Sequence, residues 1–418
     1  MLLAAGALGM SALLPGSTTP ASPEDVLPPA SRARFRPTLV TTPAMIEQAK
    51  QAVSMNLEPF LRAWQAVNDD ADAAMAREPA PYRGPDHIEY FRTARRGGWA
   101  ARDLALAYHI TGDLQYADRA RMELAAWAAA ADANVGGVKP HGVGLILGRV
   151  LPIFGDAYAL LWDVLSIPER QAVAEWFRLM IKPVMTSRQI WQSGTYGEVG
   201  PPWLGRQYFN NHITSQTLAI ATIGFTVGNS GLVRWAYDSE RNPRDAKEVI
   251  AGAIFMPEDI GSGSEGDLWH RDPTLVNGAP RPEAGEIYDR HRMRDAVPRG
   301  LSYGLMHLEL LTLLAELAYN NQYGSDLYRY VGPQGENLSV AFDYYADFLI
   351  AGDPAIKGGY YAREAQVSLN PVAIYQVAYR HYPENQRIRH VLERVDPLAL
   401  DPEFFHRTGA LTHGTQRG

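Results

Sequence analysis

Trp99-Ala-Ala-Arg-Asp-Leu104-Ala-Leu106-Ala-Tyr108-His-Ile110-Thr-Gly112-Asp113 runs straight into a second apolar stretch at residues 114–127. Apolar side chains recur at helical spacing in both, as expected of helices with one face in a core. Gly112 suits a helix C-terminus, because glycine enters the left-handed region without a Cβ clash. Asp113 suits the next N-cap, because its carboxylate accepts from the first free backbone N–H groups. The stretch therefore predicts a helical hairpin.

The same grammar recurs along the chain. Residues 154–165 lead through Ser166, Pro168 and Glu169 into residues 173–177. Residues 217–227 lead through Gly228-Asn229 into residues 232–235, and residues 303–319 lead through a polar turn into residues 327–330. A fifth copy joins residues 372–379 to residues 388–395 through His381-Tyr382-Pro383. Upstream, Thr42-Pro43 reads as a cap and first-turn proline opening a helix over residues 45–66. Runs of alternating β-branched residues are scarce. Stacked helix pairs allow an open solenoid or a closed ring. Solenoid repeats are near-uniform in length, whereas long loops of irregular length separate these pairs. The expected fold is all-α, an (α/α) toroid or incomplete barrel with long loops on one face.

The chain has 418 residues, 46% hydrophobic and 20% charged, which suits a large globular domain. Without cysteine there is no disulfide, thiolate nucleophile or Cys-ligated metal. A net charge of −7 argues against general nucleic-acid binding but leaves room for a local basic cleft. Residues 2–14 form a short apolar run, and Thr19-Pro20-Ala21 places small residues for cleavage after Ala21, although no positive residue precedes the run. Residues 1–21 are read as a signal peptide, 22–40 as a linker and 41–418 as one catalytic toroid domain. The expected location is periplasmic or secreted. No later segment is expected to cross a membrane.

Two loops hold the chemistry-bearing residues. One contains Trp203 and Tyr208 and ends in Asn210-Asn211-His212 at the start of an apolar helix. Asparagine there is an ordinary N-cap, but a helix N-terminus also favours a bound anion. The other loop, residues 256–298, shows no convincing helical pattern and carries Trp269, His270, Glu286, Tyr288 and Arg292. Between residues 281 and 299 five arginines face four acids, reversing the acidic average, and this is the expected anion-binding region. Arg299 then precedes Tyr303, with His307 one turn further along the same face. Amide, imidazole, guanidinium and phenol together suit β-elimination across a 4-linked uronic acid. The first three stabilise the enolate-like carboxylate, and the phenol moves the proton.

The residues 104–127 hairpin, Asn-Asn-His at a helix start, and Arg-Gly-Leu-Ser-Tyr before an apolar helix resemble alginate-lyase-like polysaccharide lyases with an α/α toroid fold. The resemblance covers residues 41–351. It implies that Asn211, His212 and Arg299 act on the carboxylate and that Tyr303 is the acid/base. The long insertion before Arg299 departs from the family, so Arg292 rivals Arg299, Tyr288 rivals Tyr303, and His212 stays open as the base. The insertion also points to a divergent group acting on mannuronate or glucuronate blocks. Trp203, Tyr208, Trp269, His270, Tyr288 and Arg292 are the expected substrate-binding set. No metal or cofactor is expected, and the expected partner is an acidic polysaccharide rather than nucleic acid or membrane.

Two other classes compete. A glycoside hydrolase needs paired carboxylates, for which Asp267, Asp272, Glu286 and Asp289 are candidates. A non-catalytic glycan-binding scaffold needs only the hairpins. Asp267, His270 and Asp272 form a weak metal-ligand pattern.

Overall fold

The computed structural model describes residues 36–132, 135–193, 209–240, 242, 244–256, 280–369, 372–396, 398 and 404–415. Trp203, Tyr208, Asp267, Trp269, His270 and Asp272 lie outside the described residues, as does the expected leader. The described elements are helical; the one β-bridge pairs Ile254 with Ile287.

The opening hairpin is α3 (His87–Thr111) and α4 (Leu114–Ala129). Gly112 ends α3 at φ +77°, and Asp113 caps α4 by accepting from Gln115 N. Before it stand α1 (Pro43–Ser54), capped by Thr42, and α2 (Phe60–Met75). The single helix expected over residues 45–66 is two helices, because α1 ends at Ser54, Asn56 adopts a left-handed backbone at φ +56°, and a new helix starts at Phe60. The next pair is α5 (Pro140–Leu160) and α6 (Ile167–Leu179), where Ser166 and Glu169 form a reciprocal capping box. Then come α7 (Ile181–Ser193), α8 (Asn211–Val227), α9 (Ser230–Tyr237) and α10 (Ala246–Ala253). A 3₁₀ segment, Tyr288–Arg294, gives the arginine-rich loop local helical order that its sequence does not advertise. After it come α11 (Gly300–Asn320), α12 (Leu338–Ala351), α13 (Ala373–His381), α14 (Gln386–Arg394) and α15 (Gly409–Thr412).

One hairpin differs from expectation. Residues 327–330 form a turn, and α12 takes the place of the partner helix. Tyr328 is spent on the core instead, donating its hydroxyl to Glu316 at 2.8 Å.

Helices α3, α5, α8 and α11 pack in that order and form the inner layer, with α4, α6, α9 and α12 outside them. Their interior positions are almost all buried. Helices α5 and α11 are long and apolar enough to cross a membrane by length and composition, contrary to the expectation, but both are largely buried in the ring. An α/α toroid results.

Both chain ends close the ring. Leu39 and Val40 are fully buried, and their carbonyls accept from Asn320 at the end of α11, so the expected linker docks before it ends. Arg102 on α3 donates to the carbonyls of Phe404 and Phe405 at 2.6 and 2.9 Å, while Phe404 N donates to Glu309 on α11.

The closest inner packing is between α5 and α8. A Cβ on Gly148 would collide with the Ser215 backbone, so only glycine permits this approach. Ser215 Oγ donates across the seam to Leu145 O at 2.9 Å. Gly148→Ala is expected to lower unfolding free energy by about 2 kcal/mol. Gly142→Ala on the same helix, where a Cβ meets nothing within 4 Å, is expected to raise it by up to about 1 kcal/mol. Urea unfolding followed by circular dichroism distinguishes the two.

Candidate active site

The N-termini of α8 and α11 lie together on one face of the ring, and the 3₁₀ segment 288–294 sits against them. Asn210 is the N-cap of α8, accepting from His212 N and Ile213 N. That spends Asn210 on capping and frees Asn211 next to it. Asn211 N donates to Asp289 Oδ2 at 3.0 Å. The same oxygen accepts from His307 Nδ1 on α11 at 2.7 Å. Burial pushes the Asp289 pKa up, but the His307 hydrogen bond and nearby positive charge outweigh it and hold it below the ordinary value. An ionised carboxylate only accepts, so Nδ1 of His307 carries the proton. The other ring nitrogen lies 2.5 Å from Thr214 Oγ1, back on α8. Asp289 thereby ties α8, α11 and the arginine segment together.

The side chain of Asn211 is fully buried, and among the described residues neither its oxygen nor its nitrogen has a hydrogen-bond partner. Such atoms are costly unless a ligand or water completes them. His212 follows, partly exposed, with its ring 4.1 Å from that of Trp191. Trp191 is itself fixed by donating to His141 O at 2.8 Å. Desolvation, then the positive charge of Arg292, push the His212 pKa down to about 3. The imidazole is therefore neutral at pH 7, and the fixed positive charge of the site comes from arginine.

The two arginine candidates differ in burial, while both reach Asp295, Arg292 at 3.9 Å and Arg299 at 3.4 Å. Arg292 is largely buried, acts electrostatically on both His212 and Asp289, and lies 5.2 Å from the Tyr303 ring centre. Arg299 lies 5.1 Å from the same ring, but its side chain is 50% exposed and paired with Asp295 at 3.4 Å. Tyr303 is partly exposed between them. Glu364 seats the start of α11 by accepting from the backbone N–H groups of Leu301 and Ser302.

Tyr288, expected as a substrate contact and rival acid/base, is fully buried and stacks against Phe255. It faces the core, because the 3₁₀ turn rotates it away from Arg292. The described hydrolase carboxylates are also committed elsewhere. Glu286 pairs with Arg290 at 2.9 Å and accepts from Tyr361 at 2.5 Å, and Asp289 is the hub described above. The sequence reading assigned neither the hub role of Asp289 nor the ring contact of Trp191 with His212. Their signal was faint: an acid and an indole inside loops already rich in both.

Residues 50–251 match the alginate lyase family model. An alginate lyase from Bacteroides ovatus superposes with a TM-score of 0.56 at 14% identity, covering 91% of this chain and 99% of that one. Alginate lyase A1-III from Sphingomonas species A1 gives 0.52 at 16% identity, covering 84% and 92%. A histidine-to-alanine variant of A1-III complexed with a tetrasaccharide gives 0.53 at 16% identity, covering 91% and 98%. No curated protein sequence matches at a significant level. The family match spans just under half of the chain, and the likeness to the solved structures shows the fold, an α/α toroid.

The neutral His212 carries a stability signature. Its folded pKa is depressed, so its contribution is complete above the unfolded value near 6.5 and declines as pH falls towards 3. Between pH 7 and pH 5 the wild type is expected to lose up to about 2 kcal/mol that His212→Asn does not lose. Chemical unfolding at the two pH values measures the difference.

Proposed function

We propose that the protein cleaves a β-1,4-linked polyuronate, built of mannuronate or glucuronate, by β-elimination. The observation that carries this reading is the buried amide of Asn211, without a partner among the described residues, next in sequence to a neutral His212 on which the charge of Arg292 acts, with Arg292 lying over the Tyr303 ring. A uronate carboxylate supplies the acceptors that the amide and guanidinium require. Its negative charge, growing as C5 loses its proton, meets Arg292 and the N-terminus of α8. The tetrasaccharide bound by A1-III supports an oligosaccharide ligand on this fold.

The step balances without an outside reactant. Tyr303 takes the C5 proton, the C–H electron pair becomes the C4=C5 double bond, and the C4–O4 bond breaks. The leaving oxygen receives the proton back from Tyr303. In mannuronate and glucuronate the C5 hydrogen and O4 share one side of the ring, so one group serves both transfers. Arg292 neutralises the carboxylate, Asn211 orients it, and His212 completes its hydrogen bonding. Arg299 contacts substrate at the rim. His212 acting as the base is the second reading, favoured by its neutral ring.

The first test is ultraviolet-absorbing product from mannuronan, guluronan, glucuronan and hyaluronan. Product from mannuronan or glucuronan is expected, and new reducing ends without that absorbance would sink the reading in favour of hydrolysis. Tyr303→Phe is expected to bind oligosaccharide while losing at least about 100-fold in kcat. Near-full activity in that variant, with loss in His212→Asn, moves the base to His212. Arg292→Met is expected to cost about 100-fold or more in kcat/KM, and Arg299→Met about ten-fold or less.

We also propose export, on the strength of residues 2–14 and the Thr19-Pro20-Ala21 motif. N-terminal sequencing of the mature protein is expected to begin at Ser22, and an intact Met1 would refute it.

A further inference from the structure

Between α3, the outer helix α4 and the segment that follows α2 lies a cavity of about 190 Å³. Its walls include Glu123 and Trp127 of α4, Arg96 of α3, and Arg77 and Ala80 of the connecting segment. Glu123 and Trp127 are only 5% and 3% exposed. Glu123 makes no hydrogen bond among the described residues, and burial pushes its carboxyl up to about 7 against the charges of Arg119 and Arg77. The indole N–H of Trp127 has no hydrogen-bond partner among them either. Buried polar groups left in this way are costly unless a ligand or water completes them.

The indole is held rigidly. Its ring packs against Phe154 at 5.3 Å, Tyr90 at 6.3 Å and Trp176 at 6.4 Å between centres. Its N–H edge lies over Gly97, where a Cβ would collide with Nε1, so glycine keeps that edge open to the cavity. The donor is therefore fixed before any ligand arrives. A bare cation would satisfy Glu123 but meet Arg77 and Arg119, and a bare anion would satisfy the N–H but meet Glu123. A hydroxyl group does both jobs, donating to the carboxylate and accepting from the indole. Pockets for drug-sized ligands run to about 300–1,000 Å³, so this smaller cavity suits a single sugar ring. Arg77 and Arg96 line it and are exposed, which places positive charge at its rim. None of the residues assigned to the reaction centre lines it.

We propose that this cavity is an accessory saccharide site on the outer side of α3, taking one sugar residue of a polyuronate chain away from the catalytic centre. Glu123 accepts from the sugar hydroxyls, the Trp127 N–H donates to one of them, and the rim arginines meet the uronate carboxylate. The inference rests on the polyuronate reading for the identity of its ligand. It gives the protein a second hold on long chains that the shortest substrates do not need.

Calorimetry of a saturated uronate tetrasaccharide binding to Tyr303→Phe is expected to show two sites per chain. Glu123→Gln and Trp127→Phe are each expected to weaken one of them about ten-fold, as for a lost hydrogen bond to a charged or buried group. Ala80→Trp, a change at an exposed position on the cavity wall, is expected to abolish that site without disturbing the fold. In the active enzyme Ala80→Trp should leave kcat/KM for the shortest oligomer cleaved within about two-fold, while KM for long polymer rises about three-fold or more. One site per chain, or a second site indifferent to Ala80→Trp, overturns the inference, leaves the cavity to water, and keeps the lyase reading intact. A neutral oligosaccharide that binds the second site as tightly as the uronate overturns the assignment of its ligand. Two sites that respond as expected, in a protein that yields no unsaturated product from any polyuronate, overturn the lyase reading and support this one.

Discussion

One carboxylate oxygen holds the site together. Asp289 Oδ2 accepts at once from the first backbone N–H of α8 and from His307 on α11, and Asp289 itself belongs to the segment that carries Arg292. Helix α8 is therefore referenced, through a single buried atom 78 residues away in sequence, to the 3₁₀ segment and the neighbouring α11. A buried charge is tolerable only when paired and hydrogen-bonded, and removing one partner of such a pair typically costs about 3–5 kcal/mol. The same demand that makes Asp289 expensive makes the geometry around it exact in register. The amide of Asn211, the ring of His212 and the guanidinium of Arg292 have little freedom relative to one another.

Charge is distributed unevenly in this arrangement, and the unevenness is chemical. Desolvation keeps His212 neutral, so positive charge is supplied by groups that cannot lose it. Arginine stays cationic across the pH range in which the protein is folded. A neutral imidazole beside it keeps the capacity to accept a proton. Among the described residues the buried amide of Asn211 has no hydrogen-bond partner, which is costly unless something completes it.

The ring itself depends on its ends. Inner helices that are apolar all round require neighbours on every side. The gap between α3 and α11 is filled by the segment around Phe404 and Phe405, locked by Arg102 and Glu309, and by the early residues Leu39 and Val40. Closing the ring in this way buries helices that by composition alone would pass for membrane spans.

Much of this was legible in the chain. The Gly112-Asp113 and Gly228-Asn229 junctions announce helix ends and starts, because left-handed backbone and unsatisfied N–H groups demand those residue types. Local rules of that kind also exposed Asn211, His212 and Tyr303 at helix starts, and the family resemblance joined them. What the sequence left undecided were choices between equivalent side chains: Arg292 or Arg299, Tyr303 or Tyr288, Asp289 as catalyst or as hub. Each pair has the same chemistry and similar spacing, and no local rule separates them. Burial separates them, and burial is a property of the packed ring: Tyr288 is turned into the core, Arg299 stands half in water, and Asp289 is claimed by two distant hydrogen bonds. Sequence by itself determined the helices and the inventory of reactive groups, since both follow from short-range backbone and capping physics. Tertiary structure alone decided which of those groups are buried and paired and which stay partly exposed, since that depends on packing between separate elements.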